Sequence, residues 1–122
     1  MESGTGLEIQ SVDRGECTVL HVRGEFNQNV APATRLRDEM VSPNVGSPPW
    51  LVLDLGGVTA WDDEGVGAVI GAVKRVMVAS GRLVIAATPA DLMERFRRQK
   101  LDQRFEFRET VEQAVNEFRT SR

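Results

Sequence analysis

Hydrophobic and polar residues alternate along the first part of this chain and run together in two later segments. The alternation covers residues 7–12 and 17–23, with the polar residues 13–16 between them. This pattern is typical of strands with one buried face, so it predicts a β-hairpin. Residues 51–55 and 82–87 are almost continuously apolar, and such short runs predict strands that are buried on both faces.

Apolar residues at helical spacing fall between and after these strands. They predict a helix over residues 30–40, a central helix that starts at Asp62 or Asp63 and stops before Ser80, a third over residues 89–99 and a last one from Thr110. A hydroxyl of Thr88 is expected to cap the third helix, and residues 110–113 fit a capping box. Residues 104–108 alternate and predict a short edge strand.

Strands that alternate with helices after a hairpin predict an α/β fold. We expect a mixed sheet of four or five strands and about four helices in a single domain over residues 1–122, with residues 1–6 flexible. Right-handed crossovers should join the parallel strands. Because functional loops gather at the carboxyl ends of parallel strands, residues 24–29 and 59–64 should lie near one another.

The central helix is preceded by a predicted loop, residues 56–61, and opens with three consecutive acids, Asp62, Asp63 and Glu64. Carboxylates are stabilised at a helix N-terminus, where N–H groups lack partners and the dipole is positive. Asp62 or Asp63 is expected to cap the helix, and Glu64 to face outward. Gly67 and Gly71 weaken a helix interior, so we expect them to allow close approach of this helix to the sheet.

These residues resemble the STAS domain of anti-sigma factor antagonists. In that family the start of the helix reads approximately Asp-Ser-Ser-Gly-Leu-Gly, and a partner anti-sigma kinase phosphorylates the second serine. The corresponding residues here are Asp62-Asp63-Glu64-Gly65-Val66-Gly67, so Asp62 matches and Glu64 stands at the phosphoacceptor position. Upstream, Gly24-Glu25-Phe26-Asn27 resembles the family's Gly-Glu-hydrophobic-Asp, with Asn27 in place of the aspartate.

The resemblance implies a non-catalytic module that binds an anti-sigma factor of the serine-kinase type and so regulates transcription that depends on a sigma factor. It implies partner contacts by two segments, Glu25 with Asn27 and the helix start formed by Asp62, Asp63, Glu64, Gly65 and Val66. Glu64 cannot be phosphorylated. It either imitates a phosphoserine, meets a basic residue of an altered partner, or only stabilises the helix N-terminus. Phosphorylation elsewhere, for example at Thr59, stays open.

Composition excludes several other classes of protein. Acidic residues outnumber basic ones 11 to 4 in residues 1–64, and basic residues outnumber acidic ones 11 to 7 in residues 65–122. This polarity suits protein partners, but no segment is basic enough to predict nucleic-acid binding. Cys17 and His21 are the only residues of their types, so we expect no disulfide, zinc site or cofactor, and a structural role for His21. Without a signal or membrane-spanning segment, a cytoplasmic protein is expected.

Two alternatives remain at this point. A carboxylate enzyme would use Asp54 with the acidic triplet as a Mg²⁺ or acid–base cluster, but consecutive helical residues diverge by about 100° and do not converge on one ion. The other alternative is a STAS subunit or scaffold of a larger assembly, such as a lipid-transport or stress-signalling complex, in which the same surface packs permanently.

Overall fold

A five-stranded mixed sheet carries helices on both faces, in a computed structural model that describes residues 6–120. The strands are β1 (Leu7–Asp13), β2 (Thr18–Phe26), β3 (Trp50–Trp61), β4 (Arg82–Ala86) and β5 (Glu106–Arg108). The α-helices are α1 (Pro32–Met40), α2 (Asp63–Val78), α3 (Ala90–Arg98) and α4 (Val111–Thr120), and short 3-10 turns cover Gln28–Val30 and Leu101–Gln103. This confirms the predicted α/β fold. Of the predicted flexible segment, residues 1–5 lie outside the described residues.

Strand order follows chain order, β1-β2-β3-β4-β5. The hairpin β1–β2 is antiparallel and the three later pairs are parallel. Successive crossovers move in the same direction across the sheet, each to the adjacent strand. Helices α1, α2 and α3 therefore pack on one face of the sheet. There they cover inward side chains such as Leu20, Leu53 and Ile85. The alternate residues Val19, Val52 and Val84 meet α4 through Phe118 on the other face.

The third strand is longer than its apolar run predicts. The prediction of a loop at residues 56–61 is wrong. Strand β3 continues to Trp61 and pairs with β2 as far as the register partners Phe26 and Trp61. Register shifts between His21 and Arg23 and between Gly24 and Glu25 accommodate the extra residues, and Gly56-Gly57 lies within this irregular part. Glycines inside a strand often mark such bulges, which the sequence shows only as a bend.

The role expected for Gly67 and Gly71 is also wrong. A Cβ atom added at either residue would meet nothing within 4 Å, and both are exposed, so neither approaches the sheet. Gly65 is the glycine of α2 that needs to be small, since a Cβ there would lie 2.1 Å from the carbonyl oxygen of Phe26. The close approach therefore lies at the helix start, against the end of β2.

The helix starts agree with the sequence at two places and differ at two others. Asp62 caps α2, and Thr110 and Gln113 form the expected capping box of α4. The capping hydroxyl predicted at Thr88 is wrong: Pro89 is the N-cap of α3 without a side-chain bond, and the Thr88 hydroxyl is buried without a partner. Helix α1 begins at Pro32, two residues later than predicted, because Gln28–Val30 forms a 3-10 turn instead.

Candidate functional site

The ends of β2 and β3 bring the two predicted segments together. Phe26 and Trp61 are register partners in the parallel pair, so the residues that follow both strands leave the same edge of the sheet. The backbone N–H of Gln28 donates to Oδ2 of Asp62 at 3.0 Å. The expected proximity of residues 24–29 and 59–64 is thus confirmed.

Asp62 holds this edge in place with both carboxylate oxygens. Its Oδ1 accepts hydrogen bonds from the backbone N–H groups of Glu64 at 3.0 Å and Gly65 at 3.1 Å, which caps the helix. The hydrogen bond from Gln28, together with those from Gly65 and Glu64, lowers the pKa of Asp62 below its ordinary value, because each donor favours the ionised carboxylate. Asp62 therefore remains negatively charged and is occupied by backbone donors.

The other two acids of the triplet face solvent but differ in their partners. Asp63 is 86% exposed, and its Oδ1 lies 2.6 Å from Nη1 of Arg95 on α3. Glu64 is exposed, and among residues 6–120 it forms no ion pair. Of the three carboxylates at the helix start, Glu64 is the one with its charge available to a binding partner.

Gly65 and Val66 lie beneath this surface. Val66 is only 2% exposed and belongs to the apolar core, while Gly65 is buried against the backbone of Phe26. Direct partner contact by these two residues stays a prediction. What the geometry shows is that they seat the first turn of α2 on the end of β2 and thereby fix the position of Glu64.

The upstream segment is held by its own backbone and side-chain bonds. Asn27 Oδ1 accepts a hydrogen bond from the backbone N–H of Asn29 at 3.1 Å and caps the 3-10 turn. The backbone N–H of Glu25 donates to the carbonyl oxygen of Gly6 at 2.9 Å, and its side chain is half-buried. Both residues lie on the same sheet edge as Asp62.

The sequence did not predict the contacts by which α3 supports this edge of the sheet. Trp61 Nε1 donates to Asp91 Oδ2 at 3.0 Å, and Arg95, one turn further along α3, reaches Asp63. In the sequence, Asp91 is simply an acid in the first turn of α3, and Arg95 is one of several basic residues near the end of the same helix. The spacing of four between Asp91 and Arg95 places them on one helix face and could have identified them as a pair directed at one target.

A second polar pair, also missed, lies on the α4 side of the sheet. His21 Nδ1 and Asp54 Oδ2 are 2.6 Å apart on neighbouring parallel strands, and their side chains are 25% and 18% exposed. Asp54 Oδ1 also accepts from the backbone N–H of Gly56 at 2.9 Å. The sequence offered no carboxylate beside His21 because the two residues are 33 positions apart and meet only through strand pairing.

The carboxylates named in the enzyme alternative do not converge. Asp54 faces His21, Asp62 accepts from backbone donors and Asp63 pairs with Arg95, so these three have separate partners, while Glu64 is exposed to solvent. Over residues 6–120, no three side chains of His, Cys, Asp or Glu are grouped in a way that could hold a metal ion. Within the same residues, no helix has both the length and the apolar character required to cross a membrane.

The sequence and the fold agree on a family. Residues 8–114 match the STAS domain family, and the chain belongs to it. No curated protein sequence gives a significant match.

Solved structures of the same fold extend over most of the chain. An anti-sigma factor antagonist from Mycobacterium paratuberculosis is 23% identical with a TM-score of 0.76, covering 93% of this chain and 94% of that one. Unphosphorylated SpoIIAA, also an anti-sigma factor antagonist, is 18% identical with a TM-score of 0.66, over 93% and 97% of the two chains. The murine anion transporter Slc26a9 matches 86% of this chain with 18% of its own length, at 13% identity and a TM-score of 0.71.

Proposed function

We propose that this protein is a non-catalytic anti-sigma factor antagonist, a single cytoplasmic domain that docks on an anti-sigma factor of the serine-kinase type. The docking surface is the sheet edge formed by Glu25, Asn27 and the start of α2, with Asp62, Asp63 and Glu64. The observation that supports this most directly is the fixed, exposed position of Glu64. Asp62 joins the two halves of the surface, and Glu64 projects from it with an unpaired charge.

Glu64 gives the proposed surface a permanent charge. It stands where the resembling family carries its phosphorylatable serine, and it supplies one negative charge against about −1.5 to −2 for a phosphate. Two regulatory roles are therefore distinguished. Glu64 either imitates the phosphorylated state and weakens docking, or it meets a cation of an adapted partner and strengthens docking.

The experiment begins with the partner that co-purifies with the full chain from native extract. Its affinity is then measured for wild type, Glu64→Ser and the matched exposed control Glu109→Gln. Binding that tightens about tenfold or more in Glu64→Ser supports the phosphoserine imitation, and loss of binding by a similar factor supports the charge-matched partner. Unchanged affinity in Glu64→Ser would reject both roles and leave Glu64 as a residue that favours the helix N-terminus.

A second candidate function is a STAS subunit of a larger assembly. The observation that favours it is the match to Slc26a9, in which the matching region forms 18% of a transporter chain. The two candidates differ in what surrounds the gene. A neighbouring anti-sigma kinase and sigma factor favour the antagonist, whereas neighbouring transporter genes favour the assembly subunit.

A further inference from the structure

The outward face of α2 carries an ordered set of exposed residues. They recur at spacings of three and four along the whole helix and comprise Glu64, Gly67, Gly71, Lys74 and Val78. We call this set the α2 outer face. Val78, in the last turn of the helix, is 87% exposed. Residues at spacings of three and four are neighbours along one face of a helix.

Two residues of the α2 outer face carry opposite charges. Glu64 lies in the first turn and Lys74 about 15 Å further along the axis, with the basic residue Arg75 beside it. All three are exposed, and none of them forms an ion pair with another residue of the range 6–120. The charges of this face are thus free to pair with charges on another surface.

The middle of the α2 outer face consists of two glycines, Gly67 and Gly71. No atom lies within 4 Å of a Cβ built at Gly67 or Gly71, so the backbone of α2 is accessible there. Another helix could approach this segment closely, because neither residue carries a side chain. The fold itself gives these two glycines no packing role.

We propose that the partner for this face is a second copy of the chain, packed with its α2 antiparallel to the first about a two-fold axis midway between Gly67 and Gly71. The register supports this arrangement: placing Gly67 opposite Gly71 of the other copy also places Glu64 opposite Lys74. The two-fold symmetry produces each contact twice, as an isologous interface requires. A parallel pairing would instead set like charges against each other.

The dimer would cover Glu64, which also belongs to the proposed docking surface for the anti-sigma factor. Self-association and docking would then compete, so the protein concentration would regulate how much docking surface is free. The inference itself depends on the α2 outer face alone. It can hold or fail whatever the partner proves to be.

The test is sedimentation equilibrium of the full chain from about 1 μM to about 1 mM, which spans weak and moderate dimer affinities. We expect reversible dimerisation. Glu64→Lys and Lys74→Glu should each weaken it about tenfold or more, and the double variant with both changes should restore it. Arg98→Glu, an exposed charge reversal on α3, is the matched control and should leave the dimer unchanged.

Gly71→Leu separates loss of association from loss of folding. Leucine favours helix, and a Cβ at this position has open space within the protomer, so the variant should fold by circular dichroism and sediment as a monomer. A protein that is monomeric at every concentration would overturn the proposal. So would a dimer that survives Gly71→Leu, or one whose single charge reversals are not rescued by the double variant.

Discussion

Asp62 accepts a hydrogen bond from the backbone N–H of Gln28, a residue that lies 34 positions earlier and beyond an entire crossover. The same carboxylate caps α2. A single side chain therefore fixes both the helix start and the chain that leaves β2. The geometry of the proposed docking surface depends on this one residue more than on any of the exposed acids.

Replacement of Asp62 by alanine should lower the melting temperature by several degrees, because it removes the helix cap and the link to Gln28. Asp62→Ser is the informative comparison, since a hydroxyl can still cap α2 but is too short to make both connections. We expect its melting temperature to lie between those of wild type and Asp62→Ala, measured by differential scanning calorimetry. Equal melting temperatures for all three proteins would show that the cap contributes nothing.

Acid should destabilise the protein through the carboxylates whose pKa is lowered by folding. These are Asp62, Glu112 beside Arg14 and Glu117 beside Arg108, with ordinary pKa values of 3.8 for the aspartate and 4.5 for the glutamates. A lowered folded pKa stabilises the native state above the ordinary value, and that stabilisation is lost as the pH falls through the folded pKa.

Urea unfolding between about pH 6 and pH 2 should therefore show falling stability below about pH 4.5. Asp62→Asn and Glu117→Gln should each flatten that fall, because neither replacement can take up the proton. Glu109→Gln, at an exposed position, serves as the reference. A stability profile with the same slope in all four proteins would argue against these groups as its source.

The glycines of α2 provide a graded test of packing. Gly67→Ala and Gly71→Ala should each raise the free energy of unfolding by about 0.5–1 kcal/mol, since alanine is the better helix former and has open space at both positions. Gly65→Ala should lower it by about 1–3 kcal/mol, because its Cβ would collide with the carbonyl of Phe26.

Chemical denaturation at a protein concentration of about 1 μM keeps any self-association out of the glycine comparison. The three variants are matched, since each adds one methyl group to the same helix. A destabilised Gly71→Ala would mean that α2 packs against something at this position after all.

The fold could be predicted from the sequence because its strands and helices follow clear patterns of apolar and polar residues. The hairpin alternates, β3 and β4 are apolar runs, and the cap at Asp62 is a short-range signal. What it could not predict depends on register: His21 meets Asp54, and Trp61 meets Asp91, only after strands and helices have packed. The prediction for the glycines of α2 was wrong for a related reason. Gly65, Gly67 and Gly71 lie in similar local sequence and differ only in which atoms of the fold lie next to them.

The pair of His21 and Asp54 should contribute measurably to stability. Removing one partner leaves the other half-buried without its hydrogen bond, so His21→Ala and Asp54→Ala should each cost about 1–3 kcal/mol. A double-mutant cycle isolates their interaction from the loss of the Gly56 contact. A coupling free energy near zero would show that the two side chains are adjacent without stabilising one another.

The parallel pairing of β2 with β3 has a consequence for the order in which the molecule assembles. Parallel neighbouring strands cannot be joined by a tight turn. The long connection that contains α1 must therefore close into a loop before Phe26 can pair with Trp61. During synthesis, the emerging chain can complete its β1–β2 hairpin early, yet the edge at Asp62 can form only after β3 has left the ribosome. Nascent chains that end before this strand would lack the proposed docking surface and could not capture a partner through it.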